Sequence, residues 1–225
     1  MKKNAFTLAE VLVVIAIIGV VATLTLPNLS RNTSDVDTVA KVKKTVATLQ
    51  TALDMAKDKY GEDLSTWTAS DSSSEDKATR YGTRLSEFLS VSKNCGTNTN
   101  QGCFSSSSIT AITGSAQRDS IDQNSSYYKI ILNDGVSVGF QSSSYIYFDI
   151  DGPSKGFNVR GRDIFYLNYS NNNIYWRVPL DFENVSGTNS CRSGTASYCT
   201  GWVMNFENVD YIKCSGLTRT NTTCN

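Results

Sequence analysis

Two groups of residues in this chain have the types and spacing to do chemistry. The first is a run of oxygen donors, Asp149-Ile150-Asp151-Gly152, with Asp163 a short way downstream. Carboxylates at alternate positions followed by glycine resemble the opening of a calcium loop. Asp149, Asp151 and Asp163 are therefore the candidate metal ligands, and Ca2+ is the one candidate cofactor. The full pattern is not met, since no glutamate closes it and Pro153 interrupts. The competing reading is a strand-ending turn, with Asp and Gly there for backbone geometry. The residues favour that turn, and Arg160 and Arg162 stand close enough in sequence to pair with the carboxylates.

The second group is six cysteines, Cys95, Cys103, Cys191, Cys199, Cys214 and Cys224, all in polar, loop-like sequence. An even number without C-x-x-C spacing points to disulfides in an oxidising compartment rather than to a thiolate zinc site. Neighbour pairing (Cys95–Cys103, Cys191–Cys199, Cys214–Cys224) is the simplest connectivity. A Cys199–Cys214 bridge is its rival.

Composition narrows the function classes further. The chain has no histidine. Nucleophile–histidine pairs and His-ligated metal centres are thereby excluded, and general acid–base chemistry loses its commonest side chain. Only carboxylate chemistry survives, so no enzymatic activity is expected. Lys+Arg and Asp+Glu both number 21, for a formal net charge of zero. No basic run follows the first residues, so no nucleic-acid partner is expected.

The elements that must position these groups begin with an unusual N-terminus. After Met1-Lys2-Lys3-Asn4-Ala5 comes Phe6-Thr7-Leu8-Ala9-Glu10, then an apolar run from Val11 to Leu26 softened only by Gly19, Thr23 and Thr25. As a helix at ~1.5 Å per residue, residues 6–26 would be roughly 30 Å long, one bilayer core. Glu10 is the only charge inside it. A secretory signal peptide with small residues near Val21-Ala22-Thr23 fits the basic start and the apolar run. A plain membrane anchor fits them too. Neither explains a carboxylate in the apolar segment, which costs a few kcal/mol on insertion scales.

The stretch Ala5-Phe6-Thr7-Leu8-Ala9-Glu10 resembles the prepilin cleavage and methylation motif of type IV pilins and type II secretion pseudopilins. The resemblance implies a leader, residues 1–5, cut between Ala5 and Phe6 by a prepilin peptidase, with N-methylation of Phe6. It places Glu10 fifth in the mature chain, where the family carries its characteristic glutamate. Gly19 and Pro27 fall where pilins commonly have a glycine and a helix-bending proline. Ala5 departs from the glycine usual before the cut. The motif spans about a tenth of the chain. It further implies a single-pass protein of the bacterial inner membrane, whose head lies in the periplasm or outside. Its expected partners are other pilin or pseudopilin subunits, the peptidase, an inner-membrane assembly platform and membrane lipid. A carboxylate among apolar side chains needs an opposite charge, and the new Phe6 amine of a neighbouring subunit would supply one to Glu10. The uses left open are a periplasmic secretion piston and a surface pilus. From a different class, a tethered or secreted disulfide-stabilised binding module would instead be cut near Ala22.

The rest of the chain is read as α+β, a long N-terminal helix on an antiparallel sheet with disulfide-closed C-terminal loops, which is the type IV pilin-like fold. Residues 6–27 are the anchoring helix and 28–60 its amphipathic continuation, with Pro27 a kink and a loosened polar stretch after it. Residues 61–225 form the head. Val39, Val42, Val46, Leu49, Leu53, Ala56 and Tyr60 step by three and four, one apolar helix face, and Gly61 is a C-terminal stop. A loop over 61–75 and a helix over 75–90 are expected, then a polar loop closed by Cys95 and Cys103. Strands are expected at 127–132, 136–141, 145–150, 164–169 and 174–178, with hairpin turns at Asn133-Asp134-Gly135 and Asn171-Asn172-Asn173. The part from Asp181 is read as loop-rich, with an edge strand at 202–206.

Overall fold

In a computed structural model of the chain, the described residues are 8–142, 145–170, 172–176, 191–192 and 196–224. They form two compact units, residues 1–37 and 38–225.

The first unit is the N-terminal part of α1 (Leu8–Tyr60), which is helical throughout. Pro27 and the polar residues after it lie inside this helix. The proline removes one backbone donor, but the i→i−4 bonds on either side keep the segment helical.

The second unit begins inside the same helix. Its buried positions are Val42, Thr45, Val46, Leu49, Ala52, Leu53 and Ala56, with Val39 and Tyr60 at the margin. This is the face expected from the apolar periodicity, widened by Thr45 and Ala52. The helix ends at Gly61, whose φ of +103° suits a residue without a Cβ. The short turn α2 (Leu64–Trp67) lies within the stretch read as loop. It is capped by Asp63, which accepts from the Ser65 amide. Helix α3 (Ser74–Ser86) follows, capped by Ser73.

The sheet has the order β1 (Val91–Gly96), β4 (Tyr127–Leu132), β5 (Ser137–Gln141), β6 (Tyr145–Asp149), β7 (Ile164–Ser170), β8 (Asn173–Tyr175), every pair antiparallel. Alternation along the strands gives it two apolar faces. Ile130, Val138, Phe140, Ile146, Phe148, Phe165 and Leu167 share one core with α1 and α3. Tyr127, Tyr147, Ile164 and Tyr166 face the other way. There they meet Phe104, Ile109 and Ile121 from the segment that carries the small hairpin β2 (Ile109–Thr110) and β3 (Ala116–Arg118).

Two readings of the sequence are corrected. Residues 202–206 are not an edge strand but the end of helix α4 (Ala196–Phe206). A short apolar run has no period of its own that separates helix from strand. Here Cys199, Trp202, Val203 and Phe206 recur at helical steps. The first three are buried, and α4 packs on β7. The segment from Cys95 is also not only a loop, because 91–96 is the sheet's edge strand. Its polar sequence hid it, and bulges between Val91/Lys93 and Asn94/Gly96 break its alternation. Most of the segment from Asp181 to 195, and the end of the strand expected at 174–178, lie outside the described residues.

The cysteines pair with their neighbours: Cys95–Cys103, Cys191–Cys199 and Cys214–Cys224.

Candidate functional site

The N-terminal half of α1 is one candidate. Ala5 and Phe6 lie outside the described residues, as do the side chains of 22–33, Pro27 among them. From Leu8 to Val21 every described position is exposed, and most are large and apolar: Leu8, Val11, Leu12, Val13, Val14, Ile15, Ile17, Ile18, Val20 and Val21. A helix apolar on all sides has no polar face to give to water, so it needs lipid or another apolar helix around it. Among the described residues, no helix is long and apolar enough to cross a membrane. Glu10 sits in the first turn, where the helix dipole favours a negative charge. Nothing lies within 4 Å of a Cβ built at Gly19.

The second candidate is the loop between β6 and β7. Asp149 ends β6 and is almost wholly buried. Its Oδ1 accepts from the amides of Asp151 (3.0 Å) and Gly152 (3.1 Å). Asp163 closes the loop, equally buried, and accepts from the amides of Phe157 (2.5 Å), Asn158 (2.6 Å) and Val159 (2.7 Å). Asp151 points elsewhere, to Lys41 Nζ of α1 at 3.0 Å. The two buried carboxylates thus accept from amides of the loop they close. Among the described residues, no three Asp, Glu, Cys or His side chains gather as a metal site would require. Arg162 does not supply the pairing considered for it, since its guanidinium lies 3.4 Å over the Phe157 ring.

The electrostatics follow from burial. Asp149 is pushed up to about 8, first by loss of solvent, then by the charges of Asp163 and Asp151, against the pull of its two amides. Burial also raises Asp163, opposed by its three amides.

The loop is fixed to the rest of the head at several points. Asn158, at φ +55°, donates from Nδ2 to the carbonyls of Ser107 (2.6 Å) and Ser108 (2.9 Å). Gly161 lies against the Cys191–Cys199 bridge so closely that a Cβ would meet Cys199 Sγ, and its carbonyl accepts from Tyr211 Oη at 2.6 Å. Beside Lys41, Lys44 reaches Asp134 in the β4–β5 turn (2.8 Å) and Lys43 reaches Glu207 after α4 (2.5 Å). Three lysines from one turn of α1 thus grip three loops of the head.

Two structural residues gave no signal in the sequence. Asp122 accepts from the amides of Gly102, Cys103 and Phe104, fastening the first disulfide loop. Lys129 is fully buried and donates to the carbonyls of Asn124 and Thr97. Burial lowers its pKa. Only the fold reveals what these two polar side chains do.

Residues 1–26 match the prokaryotic N-terminal methylation motif. The chain is similar to the type II secretion system core protein G of Escherichia coli (strain K12), with 50% identity over 56 residues, 25% of this chain and 38% of that protein. The core protein G of Aeromonas hydrophila is 46% identical over 56 residues, again 25% of this chain and 38% of the relative. The chain thus spans 38% of the length of the curated relatives it matches. No solved structure matches it.

Proposed function

We propose that the chain is a structural, non-catalytic subunit of a type II secretion or type IV pilus-like filament. The observation that carries this reading is the prepilin-type motif over residues 1–26, with Glu10 in the first turn of α1 just ahead of its apolar run. In this reading a prepilin peptidase cuts between Ala5 and Phe6 and methylates Phe6. The helix over 6–27 holds the protein in the inner membrane until an assembly platform extracts it. The exposed valines, leucines and isoleucines of that helix then bury against the same residues of neighbouring subunits. A buried charge is costly unless paired. The Glu10 carboxylate meets the Phe6 amine of an adjacent subunit, which fixes the register between them.

Similarity to the secretion core proteins supports the secretion filament over a surface pilus. It covers a quarter of the chain, so the head's partners are not included in it. Calcium has less support than the turn reading, because Asp149 and Asp163 already accept five amide hydrogens between them.

The test is N-terminal sequencing and intact mass of the protein extracted from membranes of its native cells without reduction. The expected chain starts at methylated Phe6 and is lighter by two hydrogens for each of three disulfides. A start near Thr23, or an uncut Met1, overturns the filament reading and leaves a secreted or tethered binding module.

A further inference from the structure

A polar groove of about 400 Å³ opens between the end of α1 and α3, with Asp71 at its edge. Tyr60 lines it and meets the buried Trp67 edge to face at 6.1 Å, and the Arg84 guanidinium lies 4.6 Å from the first ring and 5.4 Å from the second. Among the described residues, Arg84 has these ring contacts but neither a hydrogen bond nor an ion pair. Its planar fork is positioned by stacking and keeps its N–H donors for something else.

The neighbouring Arg80 differs. It pairs with Asp71 through Nη2 (3.2 Å) and Nε (3.4 Å), and the Asp71 side chain is only 8% exposed. That pair neutralises itself. The remaining lining is the Asp76 carboxylate and the hydroxyls of Thr79 and Thr83. Residues 76, 79, 80 and 83 are spaced by three and four along α3, so they share its outer face. The inner face of α3 is fixed by buried Ala78, Tyr81, Gly82 and Leu85.

We propose that this groove binds an acidic sugar, a uronate unit of a polysaccharide. A guanidinium stacked on aromatic rings is preorganised for a planar carboxylate, which it meets through two parallel hydrogen bonds. The ring hydroxyls of a uronate find an acceptor in Asp76 and donor–acceptors in Thr79 and Thr83. A phosphate ligand fits less well, because the Asp76 carboxylate would repel its denser charge. An acidic peptide brings carboxylates and amide donors, but no ring of hydroxyls to meet Asp76, Thr79 and Thr83 together. The volume is at the lower end of ligand sites, roughly 300–1,000 Å³, and suits one or two sugar rings. The inference is independent of the filament reading, for it concerns the head alone.

The test uses the full-length protein in detergent micelles, titrated with digalacturonate, with its methyl ester and with a glutamate-rich peptide. Binding is followed by calorimetry and by the Trp67 indole resonance. Digalacturonate is expected to bind saturably and to move that resonance, with the ester at least about tenfold weaker. Arg84→Gln, and Arg84→Lys, which keeps the charge but not the fork, should each weaken binding about tenfold while the protein stays folded, with at most a small drop in the thermal melt from the lost ring contacts. Asp76→Asn, at an exposed position, should weaken it less. The proposal is overturned by absence of saturable binding, by equal affinity for acid and ester, by tighter binding of the peptide, or by full affinity in folded Arg84→Gln.

Discussion

Asp149, a candidate ligand by its place in the sequence, accepts from two backbone amides in the folded loop. Its pKa of about 8 stands above the ordinary 3.8. The folded protein therefore binds more protons than the unfolded chain between those values, and stability falls as pH rises through that window. Asp163 is shifted in the same direction. Asp134, Glu87 and Glu207 are held below their ordinary values by lysine partners, and they stabilise the fold above the unfolded carboxylate range instead. The Asp149→Asn protein keeps the acceptor for the Asp151 and Gly152 amides but has no charge to bury. It should melt well above the parent at pH 8 and by a smaller margin at pH 5, where only the lower part of that window has been crossed. Thermal melts at the two pH values decide this, and a lower melting temperature for Asp149→Asn at pH 8 would sink the argument. With the loop's carboxylates engaged by amides, millimolar calcium should leave the parent's melting temperature unchanged. An upward shift on adding calcium would return the metal reading.

Among the elements, α3 depends on one residue without a side chain. Gly82 sits against the face of Tyr128 in β4, where a Cβ would overlap the ring. Alanine is the better helix former by about 1 kcal/mol, so propensity alone would make Gly82→Ala stabilising. The overlap reverses the sign. Overpacking costs ~1–3 kcal/mol, and a net loss of about 1–2 kcal/mol is expected from urea unfolding of oxidised protein. A gain in stability would mean that α3 can lift off the sheet without cost. The sequence could not disclose this contact, because the glycine and the tyrosine are brought together by tertiary packing. It disclosed much else at this scale. Strands β4 to β7 alternate or run apolar between turn residues, and their limits fall within a residue or so of those read from the pattern. The buried face of α1 was legible for the same reason, since a long periodic segment averages over exceptions. Where the signal was short, it failed. Trp202 to Phe206 offered too few residues to separate helix from strand, and the polar edge strand β1 offered no apolar period at all. Of the candidate sites, Asp149, Asp151 and Asp163 were found as residues. Their roles depended on which amides and which lysine the fold would bring to them.

At the scale of the whole molecule, residues 1–37 and 38–225 have separate kinds of stability. Among the described residues, every buried core residue lies at Val42 or beyond, and so do all three disulfides. From Leu8 to Val21 the helix is exposed and mostly apolar. A fragment of residues 38–225, made under oxidising conditions, should therefore be soluble. It should unfold cooperatively at the temperature where the head of the full chain unfolds. Loss of cooperativity in the fragment would show that the head draws stability from the preceding helix. The converse substitution probes assembly. Glu10→Val removes the one charge in the apolar run, so membrane insertion becomes easier by a few kcal/mol and the head's melting is untouched. In the filament reading the same change removes the partner of the Phe6 amine, leaving that amine unpaired between apolar helices at a cost of several kcal/mol. Glu10→Val protein should accumulate in the membrane, cleaved and folded, and fail to enter filaments. Filaments forming at the parent's yield from Glu10→Val protein would deny the carboxylate an assembly role and leave apolar contact alone to hold the subunits.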